Sequence, residues 1–245
     1  MPSENSARPL GFPVADPSAA PRPGRVILKG RTVTLEPLQA SHAEELFPLI
    51  GGEEHHWLWD YMTTGPPADI KQLRCLLAGY EKSEDPFFWT IKVKAAKDDD
   101  YTPVGYISFL NIVPANRSIE VGHVMYSSAL QRTTPATEVF YLLARYAFRD
   151  LGYRRLEWKC NNLNEPSKKA ALRYGFSFEG LFRHHQIVRG RNRDTAWFST
   201  LHCEWVGGEG KRGYEAAFEQ WLDAGNFDEH GKQTAKLEEF IKNAK

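Results

Sequence analysis

Between residues 134 and 151 the apolar positions fall on a single helical stripe. Val139, Leu142, Leu143, Tyr146, Ala147 and Leu151 keep the i, i+3, i+4 spacing of one buried face. The stripe has a start signal. Thr134 suits the N-cap, Pro135 suits the first helical position, where its missing N–H would be unpaired anyway, and Glu138 follows in the first turn. A helix start presents orphan N–H groups and a positive dipole end, and Arg132 precedes this one, so an anion such as a pyrophosphate can be held there. Read alone, the same segment is also an ordinary capped helix.

The rest of the chain alternates between the two periods. Val26 to Leu38 reads as a strand, Ser41 to Ile50 as a helix, and Ala68 to Tyr80 as a second helix. Residues 51–66 hold Gly-Gly, His-His, Trp-Leu-Trp-Asp-Tyr and Gly-Pro-Pro, which suit a functional loop. Strands follow at Phe87 to Val93, Val104 to Leu110 and Arg117 to Tyr126, separated by a charged turn at Lys97 and by Pro114-Ala-Asn. Those short connections predict an antiparallel meander.

After the 134–151 helix, Arg155 to Cys160 reads as a strand, and this strand–helix–strand unit favours parallel pairing. A capped helix runs from Asn164 to Tyr174 and stops at Gly175. Residues 176–188 and 194–203 alternate about the turn Arg189-Gly-Arg-Asn-Arg, an antiparallel hairpin. Beyond Gly207, Tyr214 to Ala224 and Gln233 to Asn243 read as amphipathic helices docking through Phe218, Trp221, Leu222 and Phe227. The expected fold class is α+β, a mixed and mostly antiparallel sheet with flanking helices. Its parts are a disordered tail at 1–25, a globular domain at 26–206 and a helical extension at 207–245.

Composition narrows the function. The 245 residues carry 31 basic and 31 acidic side chains, so no global field draws the chain toward nucleic acid or an anionic membrane. Any anion recognition must be local. Cys75, Cys160 and Cys203 are sparse and unpaired in spacing, which argues against a disulfide framework or structural zinc. The first 25 residues lack the apolar core of a signal peptide, and no run reaches the length of a membrane span. The expectation is a cytoplasmic protein with no membrane partner.

The residues 131–136, Gln-Arg-Thr-Thr-Pro-Ala, resemble the Gln/Arg-x-x-Gly-x-Gly/Ala pattern of the GNAT superfamily of N-acetyltransferases, with Thr134 at the central glycine. Glu120-Val121-Gly122, Asn164-x-x-Ser167, Tyr174-Gly175-Phe176, Glu179-Gly180 and Arg193-Asp194 occur in the family's order. They are similar to the branch of ribosomal-protein N-terminal alanine and serine acetyltransferases, over about residues 28–205. The resemblance implies acetyl-coenzyme A as donor, a primary amine as acceptor, and two splayed parallel strands, Ser118 to Tyr126 and Arg155 to Cys160, clamping the donor. It implies cofactor contacts at Val124, Met125, Gln131, Arg132, Thr133, Thr134, Ala136, Thr137 and Asn164, with the pyrophosphate on the N–H groups of residues 132–137.

An α-amine with a pKa of about 7.7–8.0 is partly neutral near pH 7, whereas a lysine at about 10.4 costs about 4 kcal/mol to deprotonate. A weak base therefore suffices for an N-terminus. Glu120 is the first candidate, through water, and His123 the second; the alternative for Glu120 is an ion pair across the sheet. Ser167 resembles the serine that protonates the leaving thiolate, and it also suits a first-turn cap. Trp59 and Tyr61 are candidate acceptor contacts, unless the loop simply packs. Tyr174 reads as core, His55-His56 lacks metal-ligand spacing, and Arg189, Arg191 and Arg193 form a hairpin-tip cluster that suits solvent better than RNA. Neither a metal nor direct nucleic-acid binding is expected, and the chain is expected to be a monomer or homodimer. Competing functions are an acetyltransferase for small-molecule amines and a non-catalytic acyl-coenzyme-A-binding module.

Overall fold

A computed structural model describes residues 8–94, 101–208 and 210–244. The charged turn at 97–100 and residues 1–7 of the expected tail lie outside the described residues. One eight-stranded sheet forms the frame: β1 (Leu28–Lys29), β2 (Val33–Pro37), β3 (Phe87–Lys94), β4 (Tyr101–Val113), β5 (Ser118–Tyr126), β6 (Arg155–Asn161), β7 (Ser177–Val188) and β8 (Arg191–Leu201). Their order across the sheet is β1-β2-β3-β4-β5-β6-β8-β7. All neighbours are antiparallel except β5 and β6.

The helices are α1 (Ala43–Ile50), α2 (Ile70–Lys82), α3 (Thr134–Arg145), α4 (Glu165–Arg173), α5 (His202–Val206), α6 (Gly213–Leu222) and α7 (Leu237–Ala244). None of them, among the described residues, is long and apolar enough to cross a membrane. α3 is the central crossover between β5 and β6. Val139, Leu143 and Ala147 of its apolar stripe are fully buried, and each large side chain so buried contributes about 1.5–3 kcal/mol. The stripe is regular only to Arg145, after which Tyr146–Asp150 form a π-helical turn.

The β5–β6 ladder is short. It runs from Ser118↔Arg155 to Val121↔Trp158 and then ends. The physical cause lies on the other edge of β5, where Tyr106 pairs with Met125 but Ser108 pairs with Gly122. His123 and Val124 thus oppose Ile107 alone, and His123 takes φ 46°, a bulge that bends the strand.

Several boundaries differ from the sequence expectation. Thr133, not Thr134, caps α3: its backbone is extended and its Oγ1 accepts from the Ala136 N–H at 3.3 Å. Glu138 is buried, and its carboxylate accepts from the N–H groups of Arg31 (2.6 Å) and Thr32 (2.8 Å), tying the β1–β2 turn to α3. The hairpin turn is two residues, not five: Arg189 and Gly190 both have positive φ, the requirement of a tight hairpin, and the chain is already in β8 at Arg191. Residues 202 and 203 leave the sheet for α5, because Glu204 reaches back to the Leu201 N–H at 2.8 Å.

The N-terminal end packs more tightly than expected, and the C-terminal helices dock through the expected residues. Residues 16–26 are not a free tail: Ala20 is buried with its N–H on the Pro114 carbonyl (3.1 Å), the Gly24 N–H meets the Tyr146 hydroxyl (3.0 Å), and Trp89 Nε1 donates to the Val26 carbonyl (3.1 Å). At the other end Phe218, Trp221 and Leu222 are buried in the same apolar cluster as Val139 and Phe140 of α3, with Phe227 packed against it. The last helix begins at Leu237, since Asn226 holds the preceding turn open by accepting from the Ala235 N–H (2.9 Å) and donating to the Trp221 carbonyl (3.0 Å).

Candidate active site

Where β5 and β6 diverge, a cleft of ≈ 1860 Å³ opens and reaches the N-termini of α3 and α4. Glu120, His123, Val124 and Met125 of β5 line it, as do Gln131, Arg132, Thr133, Thr134, Ala136 and Thr137 at the start of α3, and Asn164 and Ser167 at the start of α4. Tyr61 lines it too, from the 51–66 loop. Trp59 does not. It is fully buried, with Nε1 donating 2.7 Å to the Ile50 carbonyl, so it is the packing anchor of that loop, while Trp57 reaches the cleft.

Two contacts hold the loop over the cleft. The Tyr61 hydroxyl donates to the Leu163 carbonyl (3.1 Å), and Arg189 Nη1 donates to the Trp59 carbonyl (3.1 Å). The three hairpin arginines therefore do not form one patch: Arg189 clamps the loop, Arg191 is exposed, and Arg193 lines the cleft.

The segment before α3 is shaped by its own side chains. Gln131 Nε2 donates to the Tyr126 carbonyl (2.8 Å), Thr133 Oγ1 donates to the Leu130 carbonyl (2.6 Å), and Arg132 adopts φ 63°. A left-handed arginine costs about 1–2 kcal/mol, which the loop's hydrogen bonds offset. Pro135 has no N–H and Ala136 donates to the cap, so the donors left at this helix start are the N–H groups of residues 132, 133 and 134. That set is smaller than residues 132–137.

The other walls carry the chemistry. Glu120 is buried, and its Oε2 accepts from Lys159 Nζ (2.7 Å) and Asn111 Nδ2 (2.6 Å). Burial raises its carboxyl above the ordinary value, while Lys159 and Asn111 oppose the rise. Lys159 also meets Glu157 at 2.7 Å and lies 4.0 Å from the centre of the Trp197 ring. The ion pair considered for Glu120 is thus present. Its partner was readable from the sequence, since Glu157 and Lys159 alternate with the buried Leu156, Trp158 and Cys160 along β6.

His123 Nδ1 lies 3.0 Å from Ser108 Oγ, and that hydroxyl donates to the Gly122 carbonyl at 3.2 Å. A hydroxyl has one proton, so the network assigns the hydrogen of the imidazole to Nδ1 and leaves Nε2 as a base. Burial, followed by the charge of Arg193, pushes the His123 pKa below its usual value. At α4, Asn164 caps the helix by accepting from the Ser167 N–H (3.1 Å). Ser167 Oγ accepts from Trp158 Nε1 (3.0 Å), which turns its own hydrogen elsewhere; Cys160 sulfur is within its reach. Cys160 itself is buried and its thiol is pushed up by burial, unlike an activated nucleophile. Among the described residues no group of His, Cys, Asp and Glu is arranged to hold a metal ion.

A cleft between two parted parallel strands, with amide edges along one wall, a hydroxyl donor on the other and open N–H groups at a helix start, defines an acyl-transfer fold for a long phosphate-bearing donor. The acetyltransferase (GNAT) domain family matches residues 32–177, and the chain belongs to it. Acetyl-coenzyme A is the donor that this family uses. The chain is 40% identical to a GCN5-related N-acetyltransferase from Brucella melitensis, whose crystal structure superposes with a TM-score of 0.85 over 92% of this chain and 98% of that one. A GNAT acetyltransferase structure from Chromobacterium violaceum is 36% identical, with a TM-score of 0.74, over 81% of this chain and 98% of that one. A Bacillus subtilis protein named ribosomal N-acetyltransferase YdaF is 25% identical over 71% of this chain and 91% of its own length.

Proposed function

We propose that the protein transfers the acetyl group of acetyl-coenzyme A directly to a primary amine while both are bound. The observation that carries this reading is the pairing, across one cleft, of the Ser167 hydroxyl on α4 with the His123 imidazole on the β5 bulge. Acetyl-coenzyme A supplies a thioester whose carbonyl carbon an amine can attack. The residues do the rest. His123 Nε2 takes the proton of the amine, and Ser167 Oγ gives one to the departing sulfur. An N–H group of β5 beyond Val121, where the pairing with β6 has ended, stabilises negative charge on the carbonyl oxygen. Glu120 holds the amine through Oε1, the oxygen to which neither Lys159 nor Asn111 donates.

The character of the base bears on the acceptor class. An imidazole held below its usual 6.5 is a weak base, and the gap it must bridge is smaller for an α-amine at about 7.7–8.0 than for a lysine at about 10.4. A protein or peptide N-terminus, or another amine of low basicity, is therefore the favoured acceptor. The resemblance to a Bacillus subtilis protein named as a ribosomal N-acetyltransferase supports the same class. Thiol release from acetyl-coenzyme A is to be measured with peptides that begin with Ser or Ala and with free alkyl amines. Peptide-dependent release that exceeds release with the alkyl amines is expected. Binding of coenzyme A with no amine-dependent release would make the protein a binding module instead.

A further inference from the structure

Arg193 is a half-buried cation of the cleft that has no carboxylate partner among the described residues. On β8 it alternates with Thr195 and Trp197 on the face that lines the cleft. Its one described bond runs from Nε to Thr195 Oγ1 (3.2 Å), and among the described residues no carboxylate lies within ion-pairing distance. The contrast with neighbours is sharp: Lys159 has both Glu120 and Glu157, and Arg155 has both Glu157 and Glu179.

Arg193 is also partly desolvated and close to the reacting groups. Burial pushes its guanidinium below the ordinary arginine value, and its field reaches Cys160, Glu120 and His123. A half-buried, unpaired guanidinium is costly, and it is a strong bidentate site for an anion that enters with the ligand. Trp197 adds a second observation: its Nε1 is enclosed and has no acceptor among the described residues.

We infer that the acceptor carries a carboxylate near its amine and that this carboxylate seats on Arg193. The inference rests on the acetyltransferase reading and narrows its acceptor. Two sources fit the same chemistry: the α-carboxylate of a free amino acid, and the side-chain carboxylate of an acidic residue that follows the first residue of a peptide.

Matched pairs separate these sources: serine against serinamide, and peptides beginning Ser-Asp against Ser-Asn. For wild type, kcat/KM is expected to favour the acid member of one pair by about 10- to 100-fold. Arg193→Gln should bring that ratio near one without changing the KM for acetyl-coenzyme A, and Arg193→Lys should keep part of it. Thermal melting checks that both variants fold. Near-equal use of acid and amide by wild type, or an unchanged preference in Arg193→Gln, overturns the inference. The same pairs are titrated calorimetrically into protein loaded with coenzyme A. If no amine supports thiol release, the transferase reading fails, and the calorimetric acid preference and its loss in Arg193→Gln still decide the role of Arg193.

Discussion

Ser108 Oγ sits 3.0 Å from His123 Nδ1 and fixes which imidazole nitrogen is free. The two residues meet because β4 is paired through Ser108 to Gly122, directly before the bulge that turns His123 into the left-handed region. His123→Gln is expected to lower kcat by about 10²–10⁴-fold, the usual worth of a general base. Ser108→Ala should cost about tenfold in kcat with little change in the KM of either substrate, because it removes orientation and not the base. The pH profile gives the sign: kcat/KM rises with pH as His123 loses its proton, with a midpoint below 6.5. In His123→Gln that limb disappears.

Ser167 and Trp158 make a second pair. The indole N–H occupies a lone pair of Ser167 Oγ and leaves the hydroxyl to act as donor. Ser167→Ala should therefore lower kcat by about 10- to 100-fold while the KM for acetyl-coenzyme A stays unchanged, since the lost interaction belongs to the transition state. Trp158→Phe should show a smaller loss of the same kind. Steady-state kinetics with varied donor concentration check both.

At Arg132 charge and backbone can be separated. Arg132→Ala keeps the strained left-handed residue and loses the cation, so it should raise the donor KM and leave stability unimproved. Arg132→Gly should raise the KM similarly but stabilise the fold by about 1 kcal/mol, because glycine adopts φ 63° freely. Urea unfolding and initial rates measure the two effects independently.

Lys159→Met strands the buried Glu120 carboxylate without a cation, while Glu157 keeps Arg155, and breaking a buried pair in this way costs about 3–5 kcal/mol. The double variant Lys159→Met/Glu120→Gln should regain much of that loss, as the uncompensated charge is gone. Chemical denaturation of the two variants provides the comparison.

His42 predicts how stability responds to acid. It is buried, accepts from the Gln39 N–H at Nδ1 (3.2 Å), and also meets Thr90 Oγ1 (2.7 Å). Burial, followed by the charge of Lys92, depresses its folded pKa below the unfolded value near 6.5. The unfolded chain thus binds the proton more readily, so this stabilisation is complete above about pH 6.5 and is lost as pH falls toward the folded pKa. His42→Gln should flatten the decline in melting temperature between about pH 7 and 5 that this group causes.

What the sequence reveals here depends on how strongly a pattern is over-determined. The α3 stripe was legible because six apolar positions agree on one period, and the Asn164 cap because its side chain, Pro166 and the end at Gly175 all point to the same helix. The choice between Thr133 and Thr134 as cap was not, since adjacent threonines offer the same oxygen and only the backbone angles separate them. Trp57 and Trp59 lie in a loop without a period, so which indole faces the cleft depends on tertiary packing against Ile50. Arg193 was hidden by hairpin length. A five-residue turn leaves it in solvent at the tip, whereas the two-residue turn at Arg189-Gly190 puts it in β8 on the cleft face.

Rapid mixing of the protein with acetyl-coenzyme A, first alone and then with a Ser- or Ala-initiated peptide, tests direct transfer most plainly. The account predicts no thiol burst and no acetylated protein without the peptide, followed by stoichiometric release of thiol and acetyl-peptide once it is added. A burst of thiol with an acetyl group left on Cys160 before any amine arrives would contradict it.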